Sequence, residues 1–354
     1  MKTNRVMIVT LVVLLVLSFL GGCASPASKT YRWRYSASVS ATDPMEVYFK
    51  EHFIDVVAER TNGRLVIEPH YSRELGYDDK EMLHVMKDDL VELCAVQTGQ
   101  LTFEFPWVGA TKLPGIIPDP ESRNVVKDID REYIIEPLFN EWDCGVLSLA
   151  GTPMTNLMIW FRPGYKPMTP DDWKGLKIRT FTTDQDSFWQ KMGATGVRIQ
   201  VSELYLAMQQ GVVDGMTSAD DPGTITIRHY DEVAEALAEM WVYQSVIWIG
   251  YSKSALSKLP ADIQKTFLDA GDEYYELFWN EVMLDPTARA GFEKLAEEKG
   301  LVIYRCSDEF YEACSVAYEE VWEEWLQMNK DFSDEAYEKA KTALDALNKA
   351  TGRA

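Results

Sequence analysis

The stretch WKGLKIRTF, residues 173–181, holds the side chain with the clearest chemical potential, Arg179. Lys174 and Gly175 read as a turn, and Leu176 and Ile178 then alternate with Lys177 and Arg179 in the period of a strand. Arg179 stands at the end of that strand, before Thr180, Phe181, Thr182 and Thr183. A guanidinium keeps its charge and carries a fixed fork of donors that matches a carboxylate through two parallel bonds, which an ammonium cannot do. In open α/β sheets ligands bind beyond the carboxyl ends of strands. From pattern alone the alternative is an ordinary surface ion pair.

Other candidates carry less. The sequence has no GxSxG, GxxxxGK[ST], HExxH or GxGxxG, so no nucleophile elbow, phosphate loop, zinc helix or dinucleotide fingerprint is present. The four histidines, His52, His70, His84 and His229, are scattered. Glu81 and His84 share a helix face at i, i+3, a spacing that suits a metal but more often marks a solvated surface. Asp171-Asp172 fits a helix start stabilised by the dipole, and Asp220-Asp221 before Pro222 fits the same role better than a ligand contact. Of 11 tryptophans, Trp107, Trp189, Trp241 and Trp248 fall near element ends, as core packing or as the aromatic wall of a pocket. No metal site and no cofactor is expected.

The elements that must position Arg179 alternate in type. Tyr31, Trp33 and Tyr35 against Arg32 and Arg34 predict a strand. Thr42 or Asp43 caps a helix with Pro44 at its first position, and Asn62-Gly63 ends it. Strands are predicted at 64–68 and 91–96 with a helix at 78–87 between them, a βαβαβ pattern with a parallel sheet. Prolines 106, 114, 118 and 120 mark an irregular stretch, and a helix of about 20 residues then runs to Trp142. Strands at 145–150, 156–161, 197–199 and 212–215, with helices at 184–192 and from Ser202 to Gly211, form a second α/β unit. A strand within 240–251 is long enough to pass between the units; beyond Ala261 the chain is mostly helical, apart from a strand at 301–304. Trp322 and Trp325 mark the buried face of the helix from Asp308.

A chain of 354 residues accommodates about two domains. Its 46% apolar content supports a core, and its net charge of −21 argues against nucleic acid and against a polybasic membrane contact. Lys2 and Arg5 followed by the apolar run from Val6 to Leu20 read as a targeting segment, short for a span of about 20 residues, with a plain transmembrane anchor as the alternative. Leu20-Gly21-Gly22-Cys23 resembles a bacterial lipobox, so residues 1–22 are expected to be a lipoprotein signal peptide, Cys23 the lipidated N-terminus and 23–30 a tether. Such a compartment permits disulfides. Cys94, Cys144, Cys306 and Cys314 allow three pairings, of which a local Cys306–Cys314 bridge is conceivable; there is no CxxC.

Four stretches carry a family resemblance: FIDVVAERTNGRLVIEPH (53–70), KGLKIRT (174–180), MGATGVRIQVSELYLAMQQGVVDG (192–215) and YSKSALSKLPADIQKTF (251–267). They resemble the solute-binding subunits of TRAP transporters, the DctP-type family, over nearly all of residues 31–330. The resemblance implies a two-lobed periplasmic-binding-protein-like α/β fold with a deep inter-lobe cleft, crossing strands and a long connecting helix. It implies a small organic acid as ligand and no catalysis. The arginine of GLKIR, here Arg179, is the family's carboxylate grip. Many members continue VDGQENP where this chain has VDGMTSADDP, so the usual asparagine, a second carboxylate contact, becomes Ser218, beside Thr217. A further arginine of sialic-acid-binding members aligns near Asn156; Arg162 follows close behind but is expected to face solvent.

The expected lobes are 31–152 with 242–282 and 153–241 with 283–330, with 331–354 as a C-terminal helix packing across. The acid would dock on Arg179 with Asn156, Ser218 and Thr217, and Tyr71, Gln97 and Gln244 would complete the cage from the other lobe. The implied partners are the carboxylate, the small and large TRAP membrane subunits, and the membrane through Cys23. Two other readings stand beside this one: a sensor or scavenger of the same acids without a transporter, and a secreted hydrolase or lyase using paired carboxylates.

Overall fold

The computed structural model describes residues 29–117, 122–150, 157–180, 182–199, 203–220, 222–240, 247–283 and 286–352. Two mixed sheets organise these residues. The first is ordered β2 (Leu65–His70), β1 (Tyr31–Ser36), β3 (Leu93–Gln97), β10 (Ile247–Ser252), β4 (Cys144–Ala150). The second is ordered β11 (Val302–Tyr304), β9 (Ala236–Glu239), β5 (Leu157–Phe161), β8 (Gly215–Ala219), β6 (Lys177–Thr180), β7 (Thr195–Arg198).

Local chemistry explains the elements. In β1, Trp33 and Tyr35 enter the core while Arg32 pairs with Glu68 and Arg34 with Glu92. Asp43 caps helix α1 (Pro44–Phe49), its carboxylate accepting from the Met45 N–H at 3.0 Å, with Pro44 where a missing N–H costs nothing. The helix continues through a π-turn to Arg60, and Asn62 and Gly63 end it at φ values of 52° and 72°, the left-handed region these two residues tolerate.

The direction of the strands fixes where a site can form. In the first sheet β10 runs antiparallel to both neighbours, so β1, β2, β3 and β4 all point one way. In the second, β5 alone is reversed. Each reversed strand is the one entered from the other sheet: the chain leaves the carboxyl end of β4 for the start of β5, and leaves the carboxyl end of β9 for the start of β10. From Ala150 to Leu157, and from Met240 to Ile247, seven residue steps reach about 25 Å at most. The carboxyl edges of the two sheets are therefore held close to one another.

Four further helices matter here. Helix α2 (Thr183–Lys191) follows β6, α3 (Ala261–Phe278) covers the first sheet, α4 (Pro286–Glu298) covers the second, and α5 (Asp308–Phe332) joins both. Phe310, Cys314, Ala317 and Val321 of α5 pack in the core of the second sheet, while Trp322 and Trp325 pack in the core of the first. Both indoles donate to backbone carbonyls, Trp322 to Pro114 at 2.9 Å and Trp325 to Pro106 at 3.2 Å. Helix α6 (Asp334–Ala350) buries Ala336, Ala340, Ala343, Leu344 and Leu347 against the first core.

Several sequence expectations shift. The strand expected at 212–215 lies at Gly215–Ala219, because Asp214 is a connector: its carboxylate accepts from the Lys177 N–H at 2.9 Å and pairs with Arg162. Of the strand expected within 240–251, β10 takes Ile247–Ser252 and 241–246 lie outside the described residues, while β9 at Ala236–Glu239 precedes that range, where no strand is expected. The helix at 78–87 opens as a 3₁₀ turn, Asp79–Glu81, where Asp78 and Glu81 cap each other's backbone. The long helix to Glu141 carries a π-turn at Asp130–Ile135.

Candidate functional site

At the carboxyl end of β6 the residues Ile178, Arg179 and Thr180 are all buried, and Arg179 is only 4% exposed. Strands β7 and β8 flank it, with Val197 and Met216 in register. The guanidinium lies across the strand ends: Nε donates to the Ile199 carbonyl at 2.9 Å and one terminal nitrogen to the Thr217 carbonyl at 3.0 Å. Two backbone acceptors fix the orientation of the fork at the strand end. A solvated surface pair, the alternative reading of the sequence, does not match this burial.

The register separates the neighbours. Ile159, Phe161, Ile178 and Ala219 pack in one core, and Met158, Trp160 and Met216 in the other. Alternation along the strands then puts Arg179 and Ser218 on the same face as Met216, and the Thr217 side chain on the opposite face. Thr217 reaches Arg179 through its carbonyl, while its hydroxyl donates to the Arg179 carbonyl at 3.0 Å. Ser218 is buried.

Beyond β6, Thr182 caps α2. Thr180 Oγ1 donates to Asp186, and Arg198 at the end of β7 donates to Asp186 at 2.7 Å and to Thr183 at 2.9 Å. This ring ties the first turn of α2 to the ends of β6 and β7.

The carboxyl edge of the first sheet presents Gln97, which ends β3 and donates to Ser38 Oγ at 3.0 Å, and Tyr71, which follows β2. Burial, with nearby Glu46 and Asp55, pushes the Tyr71 phenol up to about 12. Behind it the Glu46 carboxyl is buried and accepts from Tyr35 Oη at 3.1 Å; burial outweighs that bond and pushes Glu46 up to about 7. The structure thus groups Arg179, Thr217 and Ser218 on one edge and Tyr71 and Gln97 on the other. Asn156 and Gln244 fall in the two crossovers, and they and Cys23 lie outside the described residues.

The remaining candidates have structural explanations. Glu81 serves the turn at Asp78, and His84 bonds Glu104 at 3.1 Å with its ring edge-on to Trp142. Among the described residues no group of three or more His, Cys, Asp and Glu is placed to hold a metal. Asp172 accepts from the Met168 and Thr169 N–H groups and the Thr169 hydroxyl, which hold its carboxyl below the usual range. Asp220 is buried and paired with Arg289 of α4, which also grips Glu239 and Glu293. Arg162 is half-buried rather than fully solvated, paired with Asp214 at the opposite edge of the sheet. Trp107, Trp189 and Trp248 are core residues; Trp248 donates to the buried Asp130 at 2.7 Å, and Trp241 lies outside the described residues.

Cys94, Cys144, Cys306 and Cys314 are buried free thiols. The conceivable Cys306–Cys314 bridge is not formed: both are free thiols, Cys306 donating to the Pro167 carbonyl before α5 and Cys314 lying within that helix.

Sequence reasoning missed Glu46, Arg289 and the Ile199 carbonyl. Glu46 had a signal, since Glu46, Phe49 and Phe53 sit at i, i+3 and i+7 on the buried face. A backbone acceptor such as Ile199 has none.

Residues 35–329 match the model of the DctP family, described as bacterial extracellular solute-binding protein, family 7. A solute-binding protein of Verminephrobacter eiseniae is 25% identical over 71% of this chain and 72% of its own length. An uncharacterized protein of Sinorhizobium fredii is 29% identical over 46% of this chain, a match that spans only 30% of its own length. Among solved structures, a Bordetella pertussis extracytoplasmic solute receptor binding pyroglutamic acid superposes with a TM-score of 0.76 at 18% identity, covering 90% of this chain and 100% of that one. A TRAP periplasmic solute-binding protein from Desulfovibrio salexigens with bound orotic acid gives a TM-score of 0.74 at 18% identity, covering 92% and 99%. The fold is thus that of two-lobed TRAP solute-binding proteins, and the chain belongs to the DctP family of bacterial extracellular solute-binding proteins, the family of TRAP solute-binding subunits.

Proposed function

We propose that this protein captures a small organic acid in the crevice between the two carboxyl edges and hands it to the small and large membrane subunits of a TRAP transporter. The observation that carries the reading is Arg179, buried at the end of β6 with its guanidinium aimed by the Ile199 and Thr217 carbonyls. The acids bound by the two structural neighbours, pyroglutamic and orotic, support the ligand class.

Capture is lobe closure without turnover. Residues 31–152 with 242–282 form one lobe, 153–241 with 283–330 the other, and 331–354 brace the first. The carboxylate docks on Arg179 beside Ser218 and Asn156, and Tyr71, Gln97 and Gln244 close on it from the other side. Closure is favoured only by contacts the ligand makes in the closed state alone. A desolvated Arg–carboxylate pair must also offset its own dehydration, so the hydrogen bonds around it matter as much as the charge.

Lipidation of Cys23 is the finer part of the proposal and would hold the mature chain at the outer face of the membrane. Cys23→Ser would release the chain to the soluble fraction; if the variant stays membrane-bound, that part is wrong. A thermal-shift screen of aliphatic and aromatic acids tests the central reading. At least one acid should raise Tm by several degrees with one-to-one stoichiometry and no product, and an acid consumed by the protein would contradict it.

A further inference from the structure

The helix Met82–Lys87, with its opening turn Asp79–Glu81, sends Met82, Leu83, Val85 and Met86 into the core of the first sheet. Its outer face is one wall of an open groove of about 650 Å³. Phe103 and Glu104, in the turn after the short helix Thr98–Leu101, stand on the other wall. A contact of 3.1 Å between the His84 ring and Glu104 ties the two walls together. Beneath them the His84 and Phe105 rings both meet Trp142 edge-on, so the floor is built before anything binds.

Phe103 is 68% exposed, more than any other large apolar side chain among the described residues, and Leu90 on the same groove is 42% exposed. Single exposed apolar side chains are ordinary. Two of them in one concavity, with a charged rim, have the anatomy of a protein interface. The rim also limits the occupant. Glu81, Asp88 and Glu104 face one lysine, Lys80, on a chain whose net charge is −21. That field disfavours a second copy of this chain and an anionic lipid surface. It favours a segment with a lysine or arginine beside an apolar tip.

The groove is also continuous with the cleft. Gln97 ends β3, and the helix Thr98–Leu101 follows without a break. Tyr71 follows β2, and its segment runs on through Tyr77 into the other wall. Both walls are thus extensions of the segments that bring Tyr71 and Gln97 to the carboxyl edge.

We propose that this groove docks a loop of the TRAP membrane subunits, which inserts an apolar side chain between Phe103 and Leu90 and sets a lysine or arginine against Asp88 and Glu104. The proposal rests on the transport reading above. A loop seated there touches the segments that carry the first lobe's ligand contacts, and meets them in the positions that the loaded cleft imposes.

The test uses the mature chain, the acid identified by the thermal-shift screen, and the cognate small and large subunits in proteoliposomes. Acid uptake should fall about tenfold or more in Phe103→Glu and in Leu90→Glu, the loss expected when a central apolar anchor is replaced by a charge. Calorimetric affinity for the acid should stay within about twofold of the wild type in both, since neither residue is a ligand contact. Phe103→Leu, which keeps an apolar tip, should retain about half of the uptake or more. Val316→Glu, at a side chain 61% exposed on α5, should leave uptake unchanged. Full uptake with Phe103→Glu, or an equal loss with Val316→Glu, overturns the proposal. So does a wild-type dimer that Phe103→Glu dissolves, because the groove then belongs to a second copy. A loaded wild type that supports no uptake sinks the transport reading itself, and the proposal with it.

Discussion

Arg179 and Thr217 are bonded to each other twice: an Arg179 terminal nitrogen donates to the Thr217 carbonyl at 3.0 Å, and the Thr217 hydroxyl donates back to the Arg179 carbonyl at 3.0 Å. One bond aims the guanidinium, and the other pins the backbone that carries it. Thr217→Val keeps the branched shape and removes only the second bond. It removes one hydrogen bond to a buried carbonyl, at a cost of about 1 kcal/mol in stability by denaturant titration. Acid affinity should fall on the order of tenfold, since an anchor displaced slightly loses its two-pronged geometry. Undiminished affinity with reduced stability would show that the hydroxyl supports only the fold.

Glu46 makes stability fall across neutral pH. Its folded-state value of about 7 lies above the ordinary 4.5, so the folded protein prefers the protonated acid. The groups facing it are Tyr35 of β1, Tyr71 after β2, Tyr274 of α3 and Asp43 at its own helix cap, none of them a cation. Its contribution is therefore full below about pH 4.5 and lost as pH rises through about 7, a change of roughly 3 kcal/mol. Asp184 adds a smaller change of the same sign. Urea midpoints measured at pH 5.5 and pH 8 should converge in Glu46→Gln and diverge in the wild type; equal divergence in both assigns the effect elsewhere.

Arg289 fastens α4 to the carboxyl edge of the second sheet by gripping Asp220 and Glu239. Asp220 is fully buried, so removing the cation leaves a dehydrated charge behind. Arg289→Ala should cost roughly 2–4 kcal/mol, and adding Asp220→Asn should recover part of it. A loss under about 0.5 kcal/mol would mean that water replaces the guanidinium.

Burial pushes the thiols of Cys144 and Cys306 up to about 12 and those of Cys94 and Cys314 upward as well. Unreactive thiols follow from that, since the thiolate is the nucleophile. The native domain should show no fast reaction with a thiol reagent at pH 8, four equivalents after denaturation, and a melting temperature unaffected by reductant. A reductant-sensitive Tm would reveal a bridge.

Much of this architecture was legible because it is written in side-chain period and capping. The aromatic alternation of β1, the Asp43-Pro44 start and the Asn62-Gly63 stop all hold, and Arg179 stands at a strand end. What the sequence hid was set by partners distant along the chain. Val212 to Gly215 has strand-like residues, yet Asp214 is captured by Arg162 and the Lys177 amide, which moves the strand onward. The acceptors that aim Arg179 are carbonyls, and every residue has one.

The most direct test of the account is the affinity of Arg179→Ala for the acid that the wild type binds, by calorimetry, with circular dichroism to confirm the fold. The account predicts a folded protein whose affinity has dropped at least a hundredfold, about 2.7 kcal/mol. An affinity within twofold of the wild type would contradict it.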